Sequence, residues 1–223
     1  MNRRHETLRS RRLITLISLA ALLVALPGCG LIVSAGKLLF GDPKTTCAFR
    51  RSTGVDLEDG DHRVLVVCDT PYSVQSRFPT LRMDVVEHMT RELHQRGIDV
   101  VESDDIADWI DNHGGWGDLS ELAEESEVDY LVHIEVQSFA IDVPGSDALY
   151  QGKLSGRVQV TDFGHSSGPR LVMEETYAVT WPRSPTHRAE GTSRQMFADR
   201  FIRDVSSSFS QLLYDYRVSE AVY

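Results

Sequence analysis

From Tyr130 onward the chain alternates. Tyr130, Val132, Ile134 and Val136 are apolar, while His133, Glu135 and Gln137 between them are polar. Tyr150, Leu154, Val158 and Val160 oppose Gln151, Lys153, Arg157 and Gln159 in the same way. Leu171, Met173, Tyr177, Val179 and Trp181 form a third apolar row, interrupted by Glu175. Successive side chains of a strand point to opposite faces, so this period predicts three strands with one apolar and one wet face. The intervening "VPGSDA" and "GHSSGP" are hairpin-length turns, which makes the strands an antiparallel meander. A sheet with one apolar face needs a cover. The chain supplies one in a predicted helix from about Thr192 to Tyr216, with Phe197, Phe201, Val205, Phe209, Leu212 and Tyr216 on its buried stripe.

The preceding segment has a different rhythm. "VLVVC", Val64 to Cys68, reads as a short buried strand, and "DTPYSVQSRF" as the loop after it. Pro79 suits a first helical turn, and Leu81, Val85, Met89 and Leu93 make one apolar stripe that ends at Gly97. "IDVV", Ile98 to Val101, is a second strand. Ser103 caps the next helix, whose apolar face is Ile106, Trp109 and Ile110; "HGGWG" breaks it. Asp118 with Glu121 opens another helix in "DLSELAEESE". The predicted order is β-α-β-α-α-β-β-β-α. That is an α+β fold, an α/β sandwich, with one mixed sheet and helices mainly on one face.

The N-terminus carries an address. "MNRRHETLRSRR" is basic, "LITLISLAALLVAL" is apolar, and "PGCG" is small, the layout of a secretory signal. The net charge of the chain is -10; residues 1–28 hold five arginines against Glu6, so the remainder carries -14. Such an acidic body argues against nucleic acid, which needs clustered Lys and Arg. "LPGC" resembles the bacterial lipobox, through Leu26 and Gly28, with Pro27 a less usual occupant. The resemblance implies that Cys29 is diacylated and becomes the mature terminus, on the non-cytoplasmic side of a membrane. Gly30 after it resembles the outer-membrane sorting pattern of some diderm bacteria, facing the periplasm. "SRRLITL" also loosely resembles a twin-arginine signal, without its usual aromatic. A plain signal peptide, an uncleaved anchor and a buried helix remain as alternatives, since Leu13 to Gly36 holds no charge. The expected domains are a signal over 1–28, a tether over 29–62, one α/β domain over 63–217 and a tail over 218–223. Cys47 and Cys68 are left as an even pair, open either to a disulfide in an exported protein or to burial as small apolar side chains.

"DLSELAEESEVDYLVHIEVQSF" is similar to an element of bacterial envelope proteins: the curli secretion-channel lipoprotein, the N-terminal domain of TolB and lipoproteins of polysaccharide export. The resemblance implies a sheet with helices on one side and a role in assembly or partner binding rather than catalysis. Among the residues themselves, His133, Glu135, Gln137, Lys153 and Arg157 share the wet sheet face, with Glu174 beside them. They read either as cross-strand charge pairs or as a surface for a partner or ligand. Asp69, Thr70 and Tyr72 follow the first strand at its carboxyl end, where open α/β sheets place ligands. His88 and Glu92 are one helical turn apart, but the second histidine of H-E-x-x-H is lacking and His94 is on another face, so no metal or cofactor is expected. The expected function is a lipid-anchored, non-catalytic envelope component that contacts other envelope proteins or itself. A periplasmic ligand-binding lipoprotein and a hydrolase of envelope polymers are the alternatives.

Overall fold

The structure, a computed structural model, describes residues 44–113, 119–164, 167–187 and 193–220. Cys29 and the signal segment lie outside them. Seven strands and six α-helices are described. The strands are β1 (Lys44–Thr45), β2 (Arg63–Asp69), β3 (Asp99–Val100), β4 (Tyr130–Val143), β5 (Ser146–Asp162), β6 (Arg170–His187) and β7 (Tyr216–Arg217). The helices are α1 (Ala48–Thr53), α2 (Tyr72–Gln75), α3 (Leu81–Gln95), α4 (Ser103–His113), α5 (Leu119–Glu125) and α6 (Arg194–Ser210). Five strands make one mixed sheet in the order β3-β2-β4-β5-β6. β2 is parallel to β3 and β4, and β4–β5–β6 is the antiparallel meander.

The alternation read from the sequence is what the meander buries. Tyr130, Val132, Ile134, Val136, Leu154, Val158, Val160 and Met173 are all buried on one face. One irregularity was hidden in the pattern. β4 pairs Val136 with Gly156 and then Ser138 with Ser155, so Gln137 is an extra residue in a bulge. The bulge leaves Gln137 and Ser138 both exposed and returns Phe139 and Ile141 to the core.

Helix α6 covers this apolar face. Phe197 meets Tyr150 and Trp181, Phe201 meets Phe139 and Trp181, and Phe209 meets Tyr177, with ring centroids between 4.8 and 6.5 Å. Gly152 of β5 makes the approach: a Cβ there would lie 2.5 Å from the Phe201 ring. The helix begins where Ser193 Oγ accepts the Met196 N–H, and it ends at Ser210, earlier than expected. Tyr216 belongs to β7 instead. Helix α3 lies beside α6, with Leu81, Val85, Met89 and Leu93 buried as the stripe requires. Gly97 has φ of 81° at its end, the left-handed backbone that glycine adopts without strain.

Both faces of β2 are covered. Leu65 and Val67 are as fully buried as Val64, Val66 and Cys68. The connection from β3 back to the parallel β4 carries α4 and α5. Ile106, Trp109, Leu122 and Ala123 of these helices are buried in one core with Leu65 and Val67. The wet face therefore opens only from β4 to β6.

Residues 44–62, expected as tether, are corrected to part of the body. β1 pairs antiparallel with β7. Phe49 and Leu57 are fully buried, and the Phe49 N–H donates to the Leu212 carbonyl at 2.9 Å. Arg50 Nη1 bonds Asp56 at 2.7 Å and Asp215 at 2.9 Å. These are single apolar residues among polar ones in elements of two to six residues, too short to show a period. The expected tail is tied in as far as Glu220, which pairs with Arg96 at 3.0 Å. Phe49→Ala should lower the stability of the domain by about 3–5 kcal/mol in urea unfolding, the usual loss for a buried Phe; a change within 0.5 kcal/mol would restore the tether.

Of the two readings left open for the cysteines, the structure has burial without a disulfide. Cys47 and Cys68 are free and buried. They do different work in different places. Cys47 Sγ accepts the Arg50 N–H at the start of α1, and Cys68 packs inside β2. Burial pushes the Cys47 thiol up to about 11 and raises Cys68 as well. At pH 8 both are protonated and poor nucleophiles. Iodoacetamide with peptide mapping should label neither in the native protein at pH 8, and both after unfolding without reductant. Labelling that needs a reductant would establish the disulfide.

Candidate functional site

The wet face is built by strand parity. His133, Glu135, Arg157 and Gln159 alternate with core residues of β4 and β5, and Glu174 and Thr176 lie opposite Gln159 and Arg157 on β6. Register sets the partners. Glu135 faces Arg157 across the β4–β5 ladder, and Arg157 Nη2 bonds its carboxylate at 3.3 Å. Arg157 Nη1 reaches Glu174 at 3.7 Å, and Gln159 Nε2 donates to Glu174 at 2.8 Å. The Ser138 and Ser155 hydroxyls are hydrogen-bonded at 2.6 Å, either one donating. Lys153 is exposed two rows away, opposite Thr180. His133, Glu135, Lys153 and Arg157 share this face by register, Gln137 is exposed in the bulge of β4, and Arg157 is held between two carboxylates.

The loop after β2 joins the same surface in part. Asp69 accepts from His133 Nε2 at 3.1 Å and lies 4.0 Å from Arg82 Nη1 at the start of α3. Thr70 has its hydroxyl buried. Tyr72 opens α2 and is 84% exposed. Among the described residues no hydrogen bond or ion pair links Tyr72 to Asp69 or Thr70. The structure thus brings together Asp69 and His133, 64 residues apart, which sequence reasoning kept as two separate sites.

The arrangement is acceptor-rich and mutually neutralised. Asp69 meets His133, Glu135 and Glu174 flank Arg157, and Lys153 stands exposed beyond them.

Other candidates resolve differently. Glu92 does not combine with His88: its Oε1 accepts from the Ser207 hydroxyl at 3.0 Å and from the Tyr214 hydroxyl. Burial and that carboxylate hold the Tyr214 phenol above its usual range. His94 faces Glu102 at 3.7 Å. One group not singled out from sequence comes together between α4 and α5. Donor atoms of His113, Glu121 and Glu125 lie within 4.8 Å of one another, all three side chains exposed. Trp109 orders two of them, accepting from His113 Nδ1 with its carbonyl at 2.9 Å and donating from Nε1 to Glu125 at 2.7 Å. These three residues are the ones that have the donor types for a cation, though exposed carboxylates at a helix junction also take such spacings unaided. Among the described residues no helix is long and apolar enough to cross a membrane.

No protein-family model matches the chain, and no curated protein does. Solved structures are similar to it in layout. Lipoprotein GNA1162 from Neisseria meningitidis is 11% identical over 65% of this chain and 95% of its own, with a TM-score of 0.42. The PelC dodecamer from Paraburkholderia phytofirmans is 14% identical over 77% of this chain and 96% of its own, at 0.45. The LpoB C-terminal domain from Salmonella enterica is 13% identical over 58% and 88%, at 0.34. At these values the likeness is one of layout alone.

Proposed function

We propose that the chain is a lipid-anchored component of the cell envelope that acts without catalysis, by docking a protein partner on the wet face of β4–β6. One observation carries this reading. Helices and crossover bury the other surfaces of the sheet, while this face presents a continuous row of paired polar side chains to solvent. Three long strands with a bulge make it broad, and a paired polar surface suits reversible exchange of hydrogen bonds and charges with a polar partner. The anchor is Cys29, by the lipobox of residues 26–29, on the non-cytoplasmic side and in the outer membrane facing the periplasm. Phe49 and Leu57, expected in the tether, are buried in the body, so a tether after Cys29 does not extend over them.

Two experiments test the parts separately. Lys153→Glu with Arg157→Glu reverses the face without touching the core. In-cell crosslinking followed by mass spectrometry should lose the partner recovered with the unaltered protein, with an unchanged Tm. Equal recovery from the variant removes this face from consideration. Cys29→Ser should abolish acyl labelling and accumulate the precursor; normal processing and membrane retention would show that the lipid is not the anchor.

A further inference from the structure

The helix layer has its own feature, independent of the sheet face. α3 and α6 lie side by side, and His88, Arg91, Glu92, Gln95 and Arg96 with Arg203 of α6 line a cleft of about 310 Å³ between them. Three guanidinium groups and an imidazole converge there in a chain of net charge -10. The one carboxylate among them is already engaged: Glu92 takes hydrogen bonds from Ser207 and Tyr214. Arg91 bonds Glu87 along its own helix, and Arg96 bonds Glu220 while lying 4.3 Å over the Tyr214 ring. A guanidinium has five N–H donors, so a single ion pair leaves others free. Arg203 is exposed and has no ion pair or hydrogen bond among the described residues.

We propose that this cleft is a binding site for a phosphate group. A tetrahedral phosphate offers three or more oxygens and up to two charges. It can take N–H donors from several guanidinium groups at once, which a carboxylate with two oxygens in one plane does less well. The cleft is larger than the ion, so the group carried on the phosphate also fits. That group is either a small soluble ester or the headgroup of a phospholipid.

The local field agrees with this assignment. His88 is held below its ordinary range, first by burial and then by Arg91 and Arg203, against the opposite pull of Glu87 and Asp84. The other charged groups lining the cleft are Glu92 and Arg96. A bound phosphate adds negative charge beside the ring and favours its protonated form. Binding should therefore raise the His88 pKa, and protonation of His88 should strengthen binding as pH falls through it.

The test is an NMR titration of the His88 ring in the purified protein, at constant ionic strength. The probes are inorganic phosphate, soluble short-chain phosphatidylglycerol, and chloride as the control. A saturable shift with a raised His88 pKa is expected. Arg91→Gln with Arg203→Gln should weaken it at least tenfold, while Lys153→Glu with Arg157→Glu leaves it unchanged. Response to inorganic phosphate assigns a soluble ester; response to the lipid alone assigns a headgroup. No saturable response to either probe, a response equal to that with chloride, or an unaltered affinity in the arginine variant overturns the proposal. If the arginine variant fails to fold, the His88 titration of the unaltered protein decides by itself. The sheet-face variant keeps the two readings apart, since either site can fail without the other.

Discussion

The contact on which the fold depends is that between the apolar side of β4–β6 and the phenylalanine stripe of α6. The meander buries one face only, and its rows of Val, Ile, Leu and aromatic residues have no strand layer opposite them. Burying such a face contributes roughly 25 cal/mol per Å². α6 supplies the cover, and Gly152 sets how closely it can lie, by leaving room for Phe201. α3 packs beside α6 and against β2. The 44–56 segment and the 212–217 segment then hold each other through β1–β7, Asp215 and the Leu212 carbonyl.

This arrangement divides the surface. The side on which α3 and α6 pack belongs to helices, and their shared groove gathers arginines. The opposite side is strand, covered over β2 and open from β4 to β6. Because side chains alternate, each polar residue on that open face is fixed in direction by an apolar neighbour held in the core. Arg157 stands between Glu135 and Glu174 because Val158 next to it is buried. The core thereby positions the polar row, with no further ordering needed from the partner pairs themselves. Exposed pairs of this kind contribute about 0–1 kcal/mol each, so their worth lies in placement rather than stability.

Long periodic segments were readable and short ones were not. Most of the three meander rows, the stripe of α3 and the Gly97 cap stand in the structure where the pattern put them; Leu171, expected on the apolar face, is exposed, and Gln151, expected on the wet face, is buried. The bulge at Gln137 was not foreseen, although the shift from Val136 to Phe139 records it in the sequence. The end of α6 was overrun because Leu212 and Tyr216 continue the helical spacing while serving a turn and a strand. α1 escaped because six residues with one buried Phe give no period to count. The cysteines looked pairable only in composition; one caps a helix and the other fills a strand.

The sequence by itself determined the order of the long elements and which face of each meander strand is wet. These are local properties: parity along a strand and spacing along a helix. Only the tertiary structure decided that β2 lies between β3 and β4, that Asp69 meets His133, and that three arginines share one groove. Each of those facts depends on register and on helix–helix packing between residues tens of positions apart. No spacing along the chain encodes the distance between two elements that meet only after folding.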